Sequence, residues 1–474
     1  MADLDYDVLV IGGGVTGVAA ATAAARTGAK TALVEIKPFV GGNATTGLCL
    51  HNYITKDDRQ VVFGIAQEIV DRLKDMGGAV GHVTFHGFVS AVTPVDGELF
   101  RILVTELLAE AGVTVMYGVN VVGVEADGGH VMGVQCALKG GVRTIRAKTY
   151  VDSSGDADVA VFAGANYWKG EKKTGKMQPV SMLLRCYGTD NKRIAEEMAV
   201  SEPAMATRPD HPEPFPVYFN GSFSKWNDVI LEQSIFPNED HKVFFNTVWP
   251  NHINVNTSAV FGIDGTDPLS LSRAAVALTR QVANAGRFLK EYVPGFEDAY
   301  FVPAAFPGVR ETRHIEGLYE ISDEDVNTGR KLEDTIGQVC FPVDIHDPDT
   351  GQATFHQIGG DGAFDIPYRA LAPKGLENVL VAGRCISVSS YAHGATRNMA
   401  PCLVMGESAG VATALAAQQN VSIPALDVSR LQDILENRGV FLGDRGKSQN
   451  QEAMSPAARG SRRHTQGYRR KVDW

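Results

Sequence analysis

The chain has 474 residues, a formal charge of −11, 44% hydrophobic and 21% charged residues. Such a length and composition describe a globular protein of more than one structural domain, and the negative balance argues against nucleic acid or a membrane surface as partner, since both are anionic. The cysteines are scattered without a CxxC pair, which removes the usual signatures of iron–sulfur ligation, zinc ribbons and thiol redox pairs. No metal site is expected, and no apolar run is read as long enough to span a membrane.

The first element is the apolar run from Tyr6 to Ile11, read as a buried strand. It follows Asp3 and Asp5 so closely that no signal peptide is expected, and the expected address is the cytoplasm. Gly12, Gly14 and Gly17 then form a GxGxxG turn into a helix that starts at Val15 and Thr16 and runs through an alanine-rich stretch to Arg26. In such a turn the first glycine permits the bend, the second lets a pyrophosphate reach the backbone, and the third lets the helix pack on the sheet. The helix N-terminus offers free N–H groups to the phosphates. A second strand, 31–35, ends in Glu35, placed to hold ribose hydroxyls and to repel a 2′-phosphate. A dinucleotide is therefore expected here.

Residues 41–53, with Gly42, Asn43, Ala44 and Thr45 at their start, are too rich in glycine and small polar residues for a regular element and are read as a ligand-covering loop. Helical periodicity marks 65–76 and 99–111, and a strand is expected at 113–118. Three alternating segments, 119–125, 131–137 and 142–146, separated by glycine-rich turns, read as an antiparallel meander. Residues 149–160 return to strand, turn and helix around Asp152-Ser153-Ser154-Gly155-Asp156. The middle is richer in aromatic residues and prolines, with a helix inside 264–288. A late strand at 378–382 turns at Gly383 and Arg384, and a long helix follows over about 399–418. The tail beyond Leu442 is polar, with Arg462-Arg463 and Arg469-Arg470-Lys471, and reads as a solvated disordered tail or a subunit-contact arm. The predicted division is 1–165 and 373–425 for a nucleotide domain, 166–372 for an inserted α+β substrate domain, and 426–474 for a C-terminal extension.

These pieces together resemble the FAD-dependent oxidoreductases of the glutathione-reductase-like fold. Two stretches sharpen the resemblance: Gly308 to Gly317, GVRETRHIEG, and Ala392 to Pro401, AHGATRNMAP, are similar to the broad FAD-dependent oxidoreductase family that neighbours the flavoproteins of fumarate reductase, succinate dehydrogenase and L-aspartate oxidase. The resemblance implies an α/β fold, with a Rossmann-type FAD-binding domain of parallel sheet plus meander and the inserted domain for substrate. It implies FAD as cofactor, with Ile36, Val121, Ser154, Gly155, Gly383, Arg384, Asn398 and Met399 joining the glycine turn, Glu35 and the 42–45 loop as its contacts. In the fumarate-reductase group a histidine and an arginine grip a substrate carboxylate, and the matching positions are His393 and Arg397. Thr396 stands where that group has asparagine.

Flavin chemistry needs a held cofactor, a group to handle a proton, and positive potential near the reduced ring. Pro401 suits the first turn of the last helix, which puts a positive helix end beside Asn398 and Met399. His393, with its ordinary pKa near neutrality, is the first candidate base. His51 is the second, with covalent flavin attachment or an ordinary loop role also open. Of Arg310 and Arg313, read as strand-like, one is expected to face the ligand. The expected function is hydride transfer between a small polar substrate, a hydroxy compound, sugar or carboxylate, and flavin N5. An ene-reductase of the fumarate-reductase type and a flavin-bearing electron-transfer subunit are the alternatives, and a homo-oligomer is compatible with all three.

Overall fold

The strand Asp5–Ile11 lies inside a parallel sheet, with Thr31–Glu35 and then Thr114–Tyr117 on one side and Gly141–Asp152 on the other. Val379–Val381 pairs in parallel with the end of Gly141–Asp152, so the late strand closes the same sheet. This computed structural model describes residues 5–84, 87, 89–198, 205–208, 211–233, 235 and 242–443. The basic tail, with Arg462-Arg463 and Arg469-Arg470-Lys471, lies outside the described residues. Val8, Leu9 and Val10 are each 0% exposed, as a strand covered on both faces requires.

The meander forms from Asn120–Asp127, His130–Leu138 and the first part of Gly141–Asp152. The segments expected at 142–146 and 149–152 are thus one strand: it pairs with the meander at its start and with Asp5–Ile11 further on. The charged residues Arg143, Arg146 and Lys148 hid this continuity, because there one face of the strand is exposed while Ile145 stays in the core. The expected loop at 41–53 contains a 3-10 turn, Gly42–Thr46, closed by hydroxyls of Thr45 and Thr46 donating to the carbonyls of Gly42 and Asn43. The helix expected inside 264–288 runs Pro268–Tyr292, started by Asp267, whose carboxylate accepts from the N–H groups of Leu269 and Ser270. Only Arg313–Ile315 is a strand in the 308–317 stretch, and Arg310 precedes it.

A separate apolar core lies between a six-stranded, largely antiparallel sheet and the helix Pro268–Tyr292, and is built from Val180 to Ala304. Beyond it, Ile321, Val339, Phe364 and Leu371 pack into the same cluster as Leu33, Phe100 and Leu403. The extension expected from residue 426 begins with the helix Val428–Asn437, which buries Leu431 and Leu435 in that cluster and donates from Gln432 to the carbonyls of Glu333 and Thr335.

The last long helix, Met399–Gln419, lies against Val15–Arg26 at backbone distance. A Cβ on Gly406 would stand 2.1 Å from Thr16 O, and one on Gly410 would stand 2.1 Å from Ala20 O. This helix also corrects the expectation about apolar runs: it is long and apolar enough to cross a membrane, yet its most apolar window is 100% buried inside the fold. A core helix packed on every side passes the same test of composition.

Glu407 on this helix is 2% exposed and accepts a 2.7 Å hydrogen bond from the N–H of Ile65, the first residue of the helix Ile65–Asp75. Burial pushes its carboxyl from the ordinary 4.5 up to about 7. The folded chain therefore holds this proton more tightly than the unfolded one, and that contribution to stability is complete below the ordinary value and lost as pH rises through the raised one. Glu407→Gln, neutral with an acceptor of the same shape, should match the wild type near pH 4.5 and exceed it by up to about 3 kcal/mol above pH 7. Denaturant unfolding of the flavin-loaded protein at both ends of that window measures it, and an equal effect at both would refute it.

Candidate active site

The C-terminal ends of the parallel strands open onto a cavity of about 1250 Å³. Gly12, Gly14, Val15, Thr16, Glu35, Ile36, Gly42, Asn43, Val121, Ser154, Gly155, Gly383, Arg384, Asn398 and Met399 all line it. Gly12 takes φ +93°, and a Cβ there would meet Ser153 O at 2.5 Å, so the turn requires glycine. Gly14 is different: its φ is −67° and a Cβ would meet no heavy atom within 4 Å, which marks the open side of a cradle. Glu35 is tied down by N–H groups, Gly13 donating at 2.5 Å and Lys37 at 2.8 Å. Asn398 lies at the N-terminus of Met399–Gln419 with a buried Nδ2 that has no hydrogen-bond partner among the described residues. A long phosphate-bridged cofactor with a polar ring edge fits this cradle and this orphaned donor.

Gly17, Ala44 and Thr45 do not line the cavity. A Cβ on Gly17 would stand 1.8 Å from Gly12 O, so this glycine serves helix packing. Ala44 is buried, and the backbone of Thr45 lies under Gly97, so both support the loop from behind. Arg384 lines the cavity but works as a strut: Nε donates to Gly155 O at 2.7 Å, Nη1 to Val309 O at 2.8 Å, and Nη2 pairs with Asp156 at 2.7 Å. Arg313 is similarly committed, to Asp156 O and to the Asp158 carboxylate at 2.7 Å.

Three of the expected catalytic residues, His51, Arg310 and Arg397, meet at the cavity. Arg310 donates to Pro179 O at 2.6 Å, and burial together with the nearby Arg397 guanidinium lowers its pKa to about 10. Arg397 donates to Asp344 O at 2.9 Å and pairs with its carboxylate at 3.2 Å. His51 lies 3.4 Å from the Cys49 sulfur and 5.5 Å, ring to ring, from Phe341. Burial lowers its pKa to about 4 and pushes the Cys49 thiol up to about 12, so neither carries charge at neutral pH.

His393 is the correction. It is 0% exposed and absent from the cavity wall, facing Glu311 and His314 instead. Its short helix, Ser390–Thr396, packs through Gly394 on the backbone of Asp344, where a Cβ would stand a tight 3.0 Å from Asp344 O, and His393 faces inward. Burial drives its pKa well below the ordinary histidine value. Neither ring nitrogen has a hydrogen-bond partner among the described residues, a state that costs about 1–3 kcal/mol for a buried polar group.

Two further residues escaped the sequence reading. Asp344 and His346 line the cavity from the strand Val343–His346, two residues apart and therefore on one face. Their side chains meet at 3.2 Å. Burial opposes ionisation of Asp344, but His346, Arg397 and Arg310 together hold it well below the usual carboxylate range. Burial, reinforced by Arg310, lowers His346 below the ordinary histidine value. The pattern Val343-Asp344-Ile345-His346 alternates apolar and polar, which is the signal that could have found them.

The family model described as FAD dependent oxidoreductase matches residues 7–435. Among solved structures, the chain is similar to a geranylgeranyl bacteriochlorophyll reductase-like protein from Thermoplasma acidophilum, at 15% identity and TM-score 0.46, covering 92% of this chain and 84% of that one. It is similar to p-nitrophenol 4-monooxygenase from Pseudomonas putida DLL-E4 at 11% identity and TM-score 0.47, covering 92% and 86%. The myxobacterial chondrochloren halogenase matches at 14% identity and TM-score 0.44, covering 92% and 79%. No curated protein matches.

Because a side chain at Gly14 points into open space, Gly14→Val should fold with a thermal midpoint close to that of the flavin-free wild type while blocking the cradle. The purified variant should be colourless. A full flavin spectrum in Gly14→Val would remove the glycine turn from the binding site.

Proposed function

This chain belongs to the FAD dependent oxidoreductase family, with FAD as its cofactor, and on that premise we propose that it oxidises a small anionic hydroxy compound by moving a hydride to the flavin. The observation that carries this is the charge arrangement around Asp344. Arg310 and Arg397 bring two positive groups, Asp344 supplies one negative, and His51 and His346 are held neutral, so the cavity retains net positive character. A substrate carboxylate satisfies it by a forked hydrogen bond.

FAD bound in the cradle supplies a two-electron acceptor for the hydride. The chain's own residues do the rest. Arg397, fixed by the carbonyl and carboxylate of Asp344, orients the anionic end of the substrate, and Arg310, anchored on Pro179 O, holds it from another direction. His346 accepts the hydroxyl proton as the C–H bond gives up its hydride, leaving a carbonyl product. The Asp344 carboxylate, 3.2 Å from the imidazole, stabilises the charge it gains. His346 takes the role that the sequence reading gave to His393. In the reverse direction the same imidazole returns the proton to the carbonyl oxygen, whereas an ene-reductase of the fumarate-reductase type would deliver a proton to carbon, with an arginine as donor. A pure electron relay has no use for a paired arginine cavity.

His346→Ala should lower the rate of anaerobic flavin reduction by about a hundred- to ten-thousand-fold at equal flavin content, with little change in substrate affinity. Arg397→Ala should instead raise KM for an anionic substrate by at least about tenfold and spare a neutral analogue. The wild-type kcat/KM should be flat through neutral pH and fall only on the acid side of the ordinary histidine value, because His346 must be unprotonated to act. Screening hydroxy acids, sugars and simple alcohols for anaerobic bleaching tests the substrate class. Bleaching by neutral compounds alone would overturn it.

A further inference from the structure

Behind the cavity wall lies a second cluster, which the proposed reaction does not use. Glu311, His314 and His393 are 2%, 0% and 0% exposed, and one donor atom from each lies within 4.8 Å of the others. Glu311 Oε1 stands 3.1 Å from His314 Nε2 and 3.8 Å from His393 Nδ1. The two imidazoles meet edge to face with centroids 4.7 Å apart. Ligand atoms held at about 2.0–2.2 Å from a common ion stand roughly 3.0–3.6 Å from one another, and the two separations from Glu311 Oε1 lie near that range.

Hydrogen bonding among the three leaves the cluster incomplete. Both nitrogens of His393 and Nδ1 of His314 are buried without a hydrogen-bond partner among the described residues. The carbonyl of Arg384 is near enough to favour the protonated form of His393 but outside hydrogen-bond geometry. The other oxygen of Glu311 accepts from the N–H of Gln178 at 3.1 Å, which orients the carboxylate as the outer partner of a metal ligand does. Trp168 stacks on His314 with centroids 5.7 Å apart and also lines a second cavity of about 390 Å³, so one ring separates the cluster from that opening.

We propose that Glu311, His314 and His393 bind a divalent first-row transition ion, zinc or iron(II). Two imidazoles and one carboxylate are the donor set these ions accept, with remaining positions left to water. The ion fastens the 308–317 stretch to the helix Ser390–Thr396. Arg310 immediately precedes one ligand and Arg397 lies one turn beyond another, so the site fixes the backbone from which both cavity arginines project. It does not depend on the hydride-transfer reading, because the ion is measured without substrate.

The test is elemental analysis by mass spectrometry of flavin-loaded wild type purified without chelator from medium supplied with zinc and iron. The expected result is close to one equivalent of zinc or iron per chain, and the spectrum itself says which. His314→Ala and His393→Ala should each lose most of that metal. Should either variant fail to fold, the wild type decides alone: chelation should lower its thermal midpoint, and zinc or iron(II) added under anaerobic conditions should restore it. The proposal is overturned by metal content below about a tenth of an equivalent with no response of the midpoint to either ion. It is also overturned by a full complement of metal in both histidine variants.

Discussion

The structure depends on the contact between two helices from opposite ends of the chain. Gly406 and Gly410 of Met399–Gln419 touch the backbone of Thr16 and Ala20, and Gly17 touches that of Gly12. A methyl group at any of these points would overlap a carbonyl oxygen, so the helices approach as closely as their backbones allow. That approach brings the N-terminus of Val15–Arg26 and the N-terminus of Met399–Gln419 to the same cavity. Both present unpaired N–H groups and a partial positive charge. One end serves phosphates and the other the far edge of the cofactor, and neither could do so if the seam carried ordinary side chains.

The same economy of placement governs the charges. Asp344 and the guanidinium groups of Arg310 and Arg397 share one cavity wall and are largely buried in it, where isolating any one charge would be strongly unfavourable. Asp344 stays ionised because cations face it, and Arg397 is held by both the carbonyl and the carboxylate of the same residue. The cost of removing these groups from water is met during folding, so the site is already oriented when an anion arrives. Arg313 and Arg384 show the contrast. Nη1 of Arg313 bonds to Asp156 O and Asp158, and Arg384 bonds to Asp156 and the carbonyls of Gly155 and Val309, so both brace the wall.

What could be read from the sequence was local. The strand, glycine turn, helix and terminal acid follow one another within a short span, and each is dictated by backbone conformation or by the approach of a phosphate, so residue types reveal them. The place of Asn398 and Met399 at a helix start was legible because Pro401 marks it, and both line the cavity. Lost were features set by distant partners. The continuity of Gly141–Asp152 was masked where Arg143, Arg146 and Lys148 expose one face around the buried Ile145. His393 was misplaced because the residues it faces, Glu311 and His314, are far away in sequence. Asp344 and His346 carried only a two-residue alternation, too common to single out. The buried cluster had no recognisable ligand spacing, since Glu311 and His314 come from one segment and His393 from another.

The two segments that build the cluster also build the cavity, and local geometry divides their work. Within the strand Arg313–Ile315 neighbouring side chains point to opposite sides, Arg313 to the cavity and His314 to the interior; Arg310 and Glu311 precede the strand and divide in the same way without belonging to its alternation. Arg310 reaches the cavity and Glu311 the interior, while Thr312 bonds to Gly155 O and Arg313 to Asp158. In the helical segment the division arises differently. His393 and Arg397 would share a face of a continuous helix, but Arg397 is the C-cap of Ser390–Thr396 and the chain restarts as Met399–Gln419 at Asn398. Arg397 itself keeps helical dihedrals and donates its N–H to His393 O, and its long side chain reaches Asp344 at the cavity while the histidine stays inside. A linear motif therefore records residue types and not where each one points: Arg397 lines the cavity, and His393, one turn earlier, does not.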